Sequence, residues 1–207
     1  MDTQERSWAF DQPVSSPFAR PEGLLGRLAG VIMRRTNRRD QQEVLGLLDI
    51  RPGQDVLEVG YGPGALVRLL AERTRAARIL GVDPSGEMRA AAAKLNRAAV
   101  AAGRVDLRTG TAADTGLPDQ SADVVVSVNN VAIWPDLNAG LRELHRVLRP
   151  GGTLLIAWHG GAGATRLARS LRLPEDKLTH LNDALATTFT QATRHRLSTL
   201  DAFTATR

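Results

Sequence analysis

The sequence contains no cysteine. This excludes disulfide bonds, thiolate metal ligands and any mechanism in which a cysteine attacks the substrate. Aromatic residues are only 4% of the 207 residues, so the chain offers little for nucleobases to stack on across an extended platform. No apolar run approaches the roughly 18 residues that a membrane-spanning helix needs. Because 43% of residues are hydrophobic and 24% are charged, we expect a globular protein with one sizeable core.

Lysine is also scarce. It occurs only at Lys94 and Lys177, so arginine supplies almost all of the positive charge behind a net charge of +5. One arginine cluster contains no acidic residue: Arg27, Arg34, Arg35, Arg38 and Arg39. It is interpreted either as a solvated helix face or as a surface that binds the phosphates of a nucleic acid.

Residues 1–10 are polar and lack the apolar segment of a secretion signal, which predicts a cytoplasmic protein.

The chain divides into two regions by pattern. Residues 1–49 form the first: prolines and scattered polar residues predict an arm over positions 1–21, and apolar spacing then predicts two helices that are broken near Thr36 and Asn37. We expect this region to act as a lid over the second region, residues 50–207. The apolar positions of the two helices are Leu24, Leu25, Leu28 and Ile32, then Val44, Leu45 and Leu48.

The second region alternates short apolar runs with helical stretches. The runs lie at residues 56–59, 79–82, 105–107, 124–128 and 153–158. Strands that are apolar throughout and alternate with helices indicate a parallel sheet covered on both faces. Helices are predicted over 85–102, where Ser85 is the cap and Gly103 the stop, over 136–148, where residues 149–152 close the helix, and over 176–187.

The C-terminal runs at 189–197 and 200–206 are separated only by Ser198 and Thr199. Two residues cannot form a parallel crossover, so these runs predict an antiparallel hairpin at the sheet edge. The fold class is therefore α/β, with an open, seven-stranded, mostly parallel sheet and one antiparallel edge strand.

A glycine-rich segment follows the first strand: Val56-Leu57-Glu58-Val59-Gly60-Tyr61-Gly62-Pro63-Gly64. Its glycines allow close backbone approach, and the next helix points its free N–H groups at a ligand. The spacing also satisfies a dinucleotide fingerprint, so NAD stays open as a ligand. Glu58 favours a cationic ligand instead, because a carboxylate beside the turn gains nothing from a pyrophosphate.

The second strand ends at Asp83, 23 residues after Gly60. A carboxylate at this position can accept hydrogen bonds from both hydroxyls of a ribose. The alternative is that Asp83 merely begins a turn with Pro84.

Four segments in this order resemble class I S-adenosylmethionine-dependent methyltransferases, and most closely the small-molecule branch that includes ubiquinone and menaquinone C-methyltransferases. The segments are Glu58-x-Gly60-x-Gly62-x-Gly64, Gly81-Val82-Asp83-Pro84-Ser85, the stretch 117–125 (LPDQSADVV) and the stretch 141–152 (LRELHRVLRPGG). The resemblance covers residues 50–207. It implies a three-layer Rossmann-like fold and S-adenosyl-L-methionine as the cofactor.

The resemblance also implies a role for each matching position. The methionine part of the cofactor would lie against Glu58, Gly60, Tyr61, Gly62 and Gly64. Asp83 would hold the ribose, Ser85 and Met88 would face the adenine, and Pro84 belongs to the same cofactor-binding set. The loop after the third strand would bind the cofactor through Thr111, Ala112, Ala113 and Asp114, and the Ala113 N–H and the Asp114 side chain would reach the adenine amino group. Asn129, Asn130 and Trp134 would line the junction of cofactor and substrate.

His159 and Asn130 are the candidate catalytic residues. His159 directly follows the fifth strand, at the edge where such sheets bind ligands, and is interpreted as a substrate contact or general base, or alternatively as a loop histidine. His145, His180 and His195 are interpreted as surface or packing residues. Methyl transfer is a direct displacement that needs mainly alignment, so a base is optional and no metal is expected.

The sequence thus predicts methyl transfer to a small molecule. At 207 residues we expect no separate substrate domain, which favours a small molecule or a short flexible chain as the acceptor. Two alternatives stay open: a methyltransferase that acts on RNA through the arginine cluster, and a methyltransferase-like fold that serves as a cofactor-binding cyclase or isomerase. We do not favour nucleic acid as a partner, we expect no membrane span, and a homodimer is compatible with the sequence.

Overall fold

The computed structural model describes residues 5–13, 38–164 and 166–207, with Arg38 and Leu167 described by their backbone only. A seven-stranded sheet with the order β3-β2-β1-β4-β5-β7-β6 forms its centre. The strands are β1 Asp55–Val59, β2 Arg78–Asp83, β3 Val105–Thr109, β4 Ala122–Val128, β5 Leu148–His159, β6 Thr190–Arg196 and β7 Leu200–Thr206.

The predicted mostly parallel sheet with a C-terminal hairpin is confirmed. Strands β1 to β5 pair in parallel, β7 runs antiparallel to β5, and β6 pairs antiparallel to β7 and forms the outer edge. The strand order reverses between β1 and β4. Ligands of open α/β sheets bind at such a switch point, outside the carboxyl ends of the strands.

Helices cover both faces of the sheet. They are α1 Arg38–Leu47, α2 Ala65–Arg73, α3 Gly86–Leu95, α4 Arg97–Ala101, α5 Leu137–Val147, α6 Arg166–Ser170 and α7 Glu175–Thr188, with a 3-10 turn over Val131–Ile133. One core layer packs α5 and α7 against the sheet through residues such as Leu141 and Leu181, and the other packs α1 and α2 through residues such as Val44 and Leu70. Within the described ranges, no helix has the length and apolarity to cross a membrane.

The single helix predicted over 85–102 is two helices. The chain breaks at Asn96, whose buried side-chain amide donates hydrogen bonds to the carbonyls of Gly64 (3.1 Å) and Ala92 (2.9 Å). Asn96 therefore ties the end of α3 to the glycine-rich turn. This contact joins residues 32 apart in sequence, and helical periodicity does not predict it.

Residues 149–152 belong to β5 and do not close the preceding helix. The Gly151 N–H donates to the carbonyl of Arg207 (2.9 Å), and the Arg207 N–H donates to Gly152 (3.0 Å). The guanidinium of Arg149 forms ion pairs with Asp55 (2.9 Å) and Asp123 (2.6 Å) at the amino ends of β1 and β4. With these contacts, β5 begins at Leu148, five residues before its predicted start at Thr153.

Part of the first sequence region lies outside the described residues. This applies to the predicted helix over 24–32, the predicted break near Thr36 and Asn37, and Arg27, Arg34 and Arg35 of the arginine cluster. Helix α1 covers part of the predicted second helix. Val44 within it and Leu48, the residue after its end, are buried in the core. The division of the chain at residue 49 stays a prediction.

Candidate active site

A cavity of about 500 Å³ lies at the carboxyl ends of β1, β2 and β4. Eleven of the residues singled out by the sequence line it: Gly60, Gly62, Asp83, Pro84, Met88, Thr111, Ala112, Ala113, Asn129, Asn130 and Trp134. Glu58, Tyr61, Gly64, Ser85, Asp114 and His159 do not line it. The structure therefore gathers most of the predicted cofactor-binding residues around one space.

Asp83 connects the glycine-rich turn to the start of α3. Its Oδ2 accepts a hydrogen bond from the Gly62 N–H and its Oδ1 accepts one from the Ser85 N–H, both at 2.9 Å. Burial raises the pKa of the Asp83 carboxyl, and the two N–H groups oppose that rise. Each oxygen of a carboxylate has a second lone pair. Asp83 can therefore still accept hydrogen bonds from a pair of ligand hydroxyls.

Ser85 acts from outside the cavity. Its hydroxyl accepts a hydrogen bond from the Met88 N–H (3.3 Å) and so caps α3. The cap fixes the first turn of α3, which presents Met88 to the cavity.

Asn130 packs over Gly60 and has a complete set of internal partners. Its Nδ2 donates to the carbonyl oxygens of Val59 (2.7 Å) and Val128 (3.3 Å). Its Oδ1 accepts from the Ser127 hydroxyl (2.8 Å) and the Trp134 indole (2.7 Å). An asparagine side chain with two donated and two accepted hydrogen bonds shapes the cavity wall and has little capacity left for a reacting group.

Glu58 lies beneath the turn and is 4% exposed. Its Oε2 is buried without a hydrogen-bond partner in the structure. Burial raises the pKa of this carboxyl well above its usual value, and the negative charge of Asp83 adds to the rise, while the backbone N–H of Val67 opposes it. Glu58 is therefore a buried acid close to the cavity wall, with one oxygen that has no hydrogen-bond partner.

Tyr61 and Gly64 have packing roles. The Tyr61 ring is buried against Gly81 of β2, and its hydroxyl donates to the Arg108 carbonyl (3.2 Å). Gly64 precedes α2 and accepts the hydrogen bond from Asn96.

The loop after β3 contributes its first residues to the cavity. The Thr111 N–H donates to the Asp114 carbonyl (2.8 Å), and the Asp114 N–H donates to the Thr111 hydroxyl (3.0 Å). The Asp114 side chain is exposed and accepts from the Gly116 N–H (3.3 Å). Gly110 and residues 111–113 line the cavity at this loop.

The cavity wall is acidic. Glu5, Asp83 and Asp136 line it, and no lysine, arginine or histidine of the described chain does. A dinucleotide pyrophosphate would find no positive charge here. A cationic ligand meets complementary charge, as Glu58 led us to expect.

Sequence reasoning missed several lining residues, among them Glu5, Ile133, Pro135, Asp136 and Ala139. Four of them lie around Trp134 and the start of α5, so they could have been inferred from their proximity to a predicted site residue. Glu5 could not, because it is far away in sequence and carries no motif.

Tertiary contacts of Trp8 place Glu5 at the cavity. The Trp8 indole donates to the Val131 carbonyl (2.7 Å), and the Trp8 N–H donates to the Trp134 carbonyl (3.0 Å). On the other side, Trp8 contacts the His180 ring at 5.6 Å between centroids and the Lys177 ammonium at 5.6 Å. These contacts hold residues 5–13 against the carboxyl edge of the sheet.

His159 lies at the end of β5 beside α1, outside the cavity lining. Its side chain is 13% exposed, and its Nδ1 is 3.8 Å from the Asp40 carboxylate. Burial lowers the pKa of His159, and the charge of Asp40 opposes this effect. Asp40 was not singled out from the sequence, and it also accepts a hydrogen bond from Asn129 (2.9 Å).

The other three histidines make packing contacts. His145 contacts the Phe189 ring at 5.3 Å, His180 contacts Trp8, and the His195 Nε2 is 2.8 Å from the Thr204 hydroxyl. In residues 5–13, 38–164 and 166–207, no cluster of three or more histidine or acidic side chains is arranged to hold a metal ion.

Comparison with known proteins agrees with this geometry. Residues 57–156 match the model of a family described as a methyltransferase domain. The Bacillus subtilis protein named uncharacterized methyltransferase YdaC is 35% identical over 129 residues, which are 62% of this chain and 69% of that protein. The ubiquinone/menaquinone biosynthesis C-methyltransferase UbiE of Rubrivivax gelatinosus is 34% identical over 155 residues, which are 75% of this chain and 57% of that enzyme.

A solved structure from Methanococcus maripaludis has the same fold. It superposes with a TM-score of 0.73 over 88% of this chain and 91% of that one, at 20% identity.

Proposed function

The chain belongs to the S-adenosylmethionine-dependent methyltransferase family, and from this premise we propose that it transfers a methyl group to a small-molecule acceptor bound at the carboxyl edge of β1, β4 and β5. The single observation that carries the proposal is the acidic cavity at the glycine-rich turn, which Asp83 lines.

The residues present fit the cofactor. S-adenosylmethionine bears a positive charge on its sulfonium and another on its amino group, and the cavity offers carboxylates without competing cations. Glu58, a buried carboxyl whose Oε2 has no partner, lies close to this space, and a cationic ligand would favour its ionised form. We assign the ribose hydroxyls to Asp83, the adenine to Met88 and the loop 110–113, and the methionine part to the turn at Gly60 and Gly62.

The cofactor supplies an electrophilic methyl group on a positively charged sulfur. The chain's own contribution is to orient the two reactants and to exclude water, and positioning of this kind can supply roughly 7–11 kcal/mol of the barrier reduction. Asn130 keeps the wall in shape through its four hydrogen bonds, and Trp134 packs beside it. We therefore place Asn130 among the residues that position the reactants.

A small acceptor is favoured by the enclosure of the site. Trp8 holds residues 5–13 against the carboxyl edge, which narrows access to the cavity. Of the arginine cluster invoked by the RNA alternative, only Arg39 has a described side chain, and it is exposed on α1. The RNA alternative therefore stays a prediction, because Arg27, Arg34 and Arg35 lie outside the described residues.

The experiment is a calorimetric titration of S-adenosylmethionine into the wild-type protein and into Asp83→Ala. We expect Asp83→Ala to weaken binding at least about tenfold, since each charge-assisted hydrogen bond that is lost is worth roughly 1.5–3 kcal/mol. Asp106→Ala is the matched control, because Asp106 also lies in a strand but is exposed and pairs with Arg108. Circular dichroism checks that both variants are folded.

Unchanged affinity of Asp83→Ala would contradict the assignment of the ribose site. Release of S-adenosylhomocysteine in the presence of small-molecule acceptors then tests the transfer itself. Conversion of a substrate without consumption of the cofactor would indicate the cyclase or isomerase alternative. Tight, steeply salt-dependent binding of mixed RNA would indicate the nucleic-acid alternative.

A further inference from the structure

Three polar side chains from three separate elements meet beside the cavity. Asp40 lies in the first turn of α1, Asn129 follows β4, and His159 ends β5. The Asn129 amide Nδ2 donates to the Asp40 Oδ2 (2.9 Å), and the same oxygen is 3.8 Å from the His159 Nδ1. Asn129 lines the cavity, so this group of residues extends from the cavity wall to the end of β5.

The fold holds Asp40 in this position. One turn along α1, the Glu43 carboxylate accepts hydrogen bonds from the N–H (3.0 Å) and the hydroxyl (3.1 Å) of Thr199, in the turn between β6 and β7. Val44 on the same helix is completely buried in the core. Helix α1 is thus fixed at both its polar and its apolar side, and Asp40 is only 5% exposed.

Two atoms of the group are buried without a hydrogen-bond partner in the structure: Oδ1 of Asn129 and Nδ1 of His159. Asn129 is held in the left-handed region at φ +56°, and its N–H donates to the Ala157 carbonyl (2.8 Å). Because its Nδ2 is taken by Asp40, the Asn129 side chain presents an acceptor oxygen. Buried polar atoms without partners are costly, so this arrangement calls for a donor from a ligand.

We propose that Asp40 is a positioning residue of the acceptor site, which holds Asn129 and His159 so that an acceptor hydroxyl group binds there and gives its proton to His159 during methyl transfer. The proposal rests on the proposed function. It adds a residue, Asp40, and a class of acceptor, a neutral hydroxyl compound.

The chemistry of the group favours a hydroxyl acceptor. A carboxylate acceptor would be repelled by Asp40, and it has no proton to lose. An amine attacks through its free lone pair and loses its proton afterwards, so it does not need a base beside it. A hydroxyl must lose its proton as it is methylated, and a neutral imidazole can accept it.

The step balances without a further reactant. The hydroxyl oxygen forms a bond to the methyl carbon as the sulfur–carbon bond breaks, and the electron pair of that bond returns to sulfur. The hydroxyl proton passes to His159, and the resulting imidazolium is stabilised by the carboxylate of Asp40. Burial lowers the pKa of His159, so the ring is neutral and able to accept a proton before the reaction. Asp40 is the charged group that acts on His159 within the described part of the chain, and the Trp158 ring flanks it at 5.3 Å.

Asp40 and His159 both lie outside the segment 57–156 that matches the family model, whereas Asn129 lies inside it. The acceptor site is therefore built from residues inside the matched segment and from residues that flank it on both sides. This division is expected where a common fold binds different acceptors.

The first experiment is an NMR titration of the His159 ring, assigned by its absence from the spectrum of His159→Gln. We expect Asp40→Asn to lower the pKa of His159, because the opposing negative charge is removed, and to shift the side-chain amide signals of Asn129. Asp49→Asn is the control, because Asp49 lies just after α1, is exposed and pairs with Arg51. A His159 pKa that is unchanged in Asp40→Asn overturns the proposal, without recourse to catalytic activity.

The second experiment measures methyl transfer to matched ring compounds that carry a hydroxyl, an amino or a carboxylate group. We expect transfer to hydroxyl compounds, a fall in kcat of at least tenfold in Asp40→Asn with little change in the KM for S-adenosylmethionine, and loss of the acid limb of the pH–rate profile in His159→Gln. Transfer only to amines or carboxylates, or to no hydroxyl compound, overturns the proposal. If S-adenosylmethionine itself does not bind, the proposed function fails instead, so the two failures are distinguishable.

Discussion

Gly60 and Asn130 are so close that a β-carbon on Gly60 would stand 2.3 Å from the Nδ2 atom of Asn130. The same glycine has φ +73°, a conformation that L side chains rarely adopt. The amide that approaches it is held by the carbonyl of Val59, on the strand that leads into the turn. The shape of the glycine-rich turn therefore depends on a residue just after β4, the neighbouring parallel strand.

We expect Gly60→Ala to destabilise the protein by more than backbone strain alone. A non-glycine residue in the left-handed region costs roughly 1–2 kcal/mol, and forcing a methyl group against Asn130 adds about 1–3 kcal/mol. Gly53→Ala is the matched control, because Gly53 has φ +87° but open space around its Cβ position. Urea denaturation measures both. Equal losses of stability in the two variants would show that the contact with Asn130 is unimportant.

The raised pKa of Glu58 leads us to expect that the free energy of unfolding depends on pH. Its pKa is raised by burial, so the native state keeps a proton that the unfolded chain releases above a pH of about 4.5. The stability contributed by the protonated acid is present below that pH and is lost as pH rises through the native pKa. We expect Glu58→Gln to gain stability relative to wild type as pH rises from 5 to 8, by up to about 1.4 kcal/mol per pH unit. Urea unfolding at several pH values measures the difference, and a constant difference would contradict the prediction.

Glu143 predicts the opposite dependence. Hydrogen bonds from Arg146 and Thr115 outweigh burial and lower the pKa of Glu143 to about 2. Its stabilising effect is therefore present above a pH of about 4.5 and is lost as pH falls towards 2. At pH 7 we expect Glu143→Gln to cost about 1–3 kcal/mol, because Arg146 and Thr115 lose a charged partner. The cost should diminish below pH 4.5.

Glu72→Gln is the control for the Glu143 experiment. Glu72 is half exposed and pairs with Arg68 on the surface of α2, where such a pair contributes little. A similar loss of stability in the two variants would contradict the role assigned to Glu143.

The contacts of Trp8 lead us to expect that docking of the N-terminal arm contributes to binding of the cofactor. In Trp8→Phe the aromatic ring stays, but the hydrogen bond to the Val131 carbonyl is lost. We expect this loss to cost about 1 kcal/mol of arm docking and so to weaken S-adenosylmethionine binding about fivefold, because the arm carries Glu5 to the cavity wall. Calorimetric titration measures the effect. If Trp8→Phe binds S-adenosylmethionine as tightly as the wild type does, docking of the arm does not contribute to cofactor binding.

Much of the architecture could be predicted from patterns that are local in sequence. Continuous apolar runs between helical stretches predicted a parallel sheet, because strands covered on both faces have no polar side. The short connection at Ser198 and Thr199 predicted the reversal of β7, because so few residues cannot form a parallel crossover. Element ends were less well predicted: the break at Asn96 and the early start of β5 depend on hydrogen bonds to residues distant in sequence.

The sequence by itself determined the succession of strands and helices along the chain, the glycine-rich turn after β1 and the acidic end of β2 at Asp83. Each of these is a pattern of neighbouring residues. Only the tertiary structure decided which side chains face the cavity. In the folded chain Glu58 is buried outside the cavity lining, and Glu5 is part of that lining. Asn129 donates a hydrogen bond to Asp40, 89 positions away in sequence. Those outcomes depend on how α1 and the arm pack against the sheet edge, and non-local packing of this kind leaves no periodic signal in the residues that it brings together.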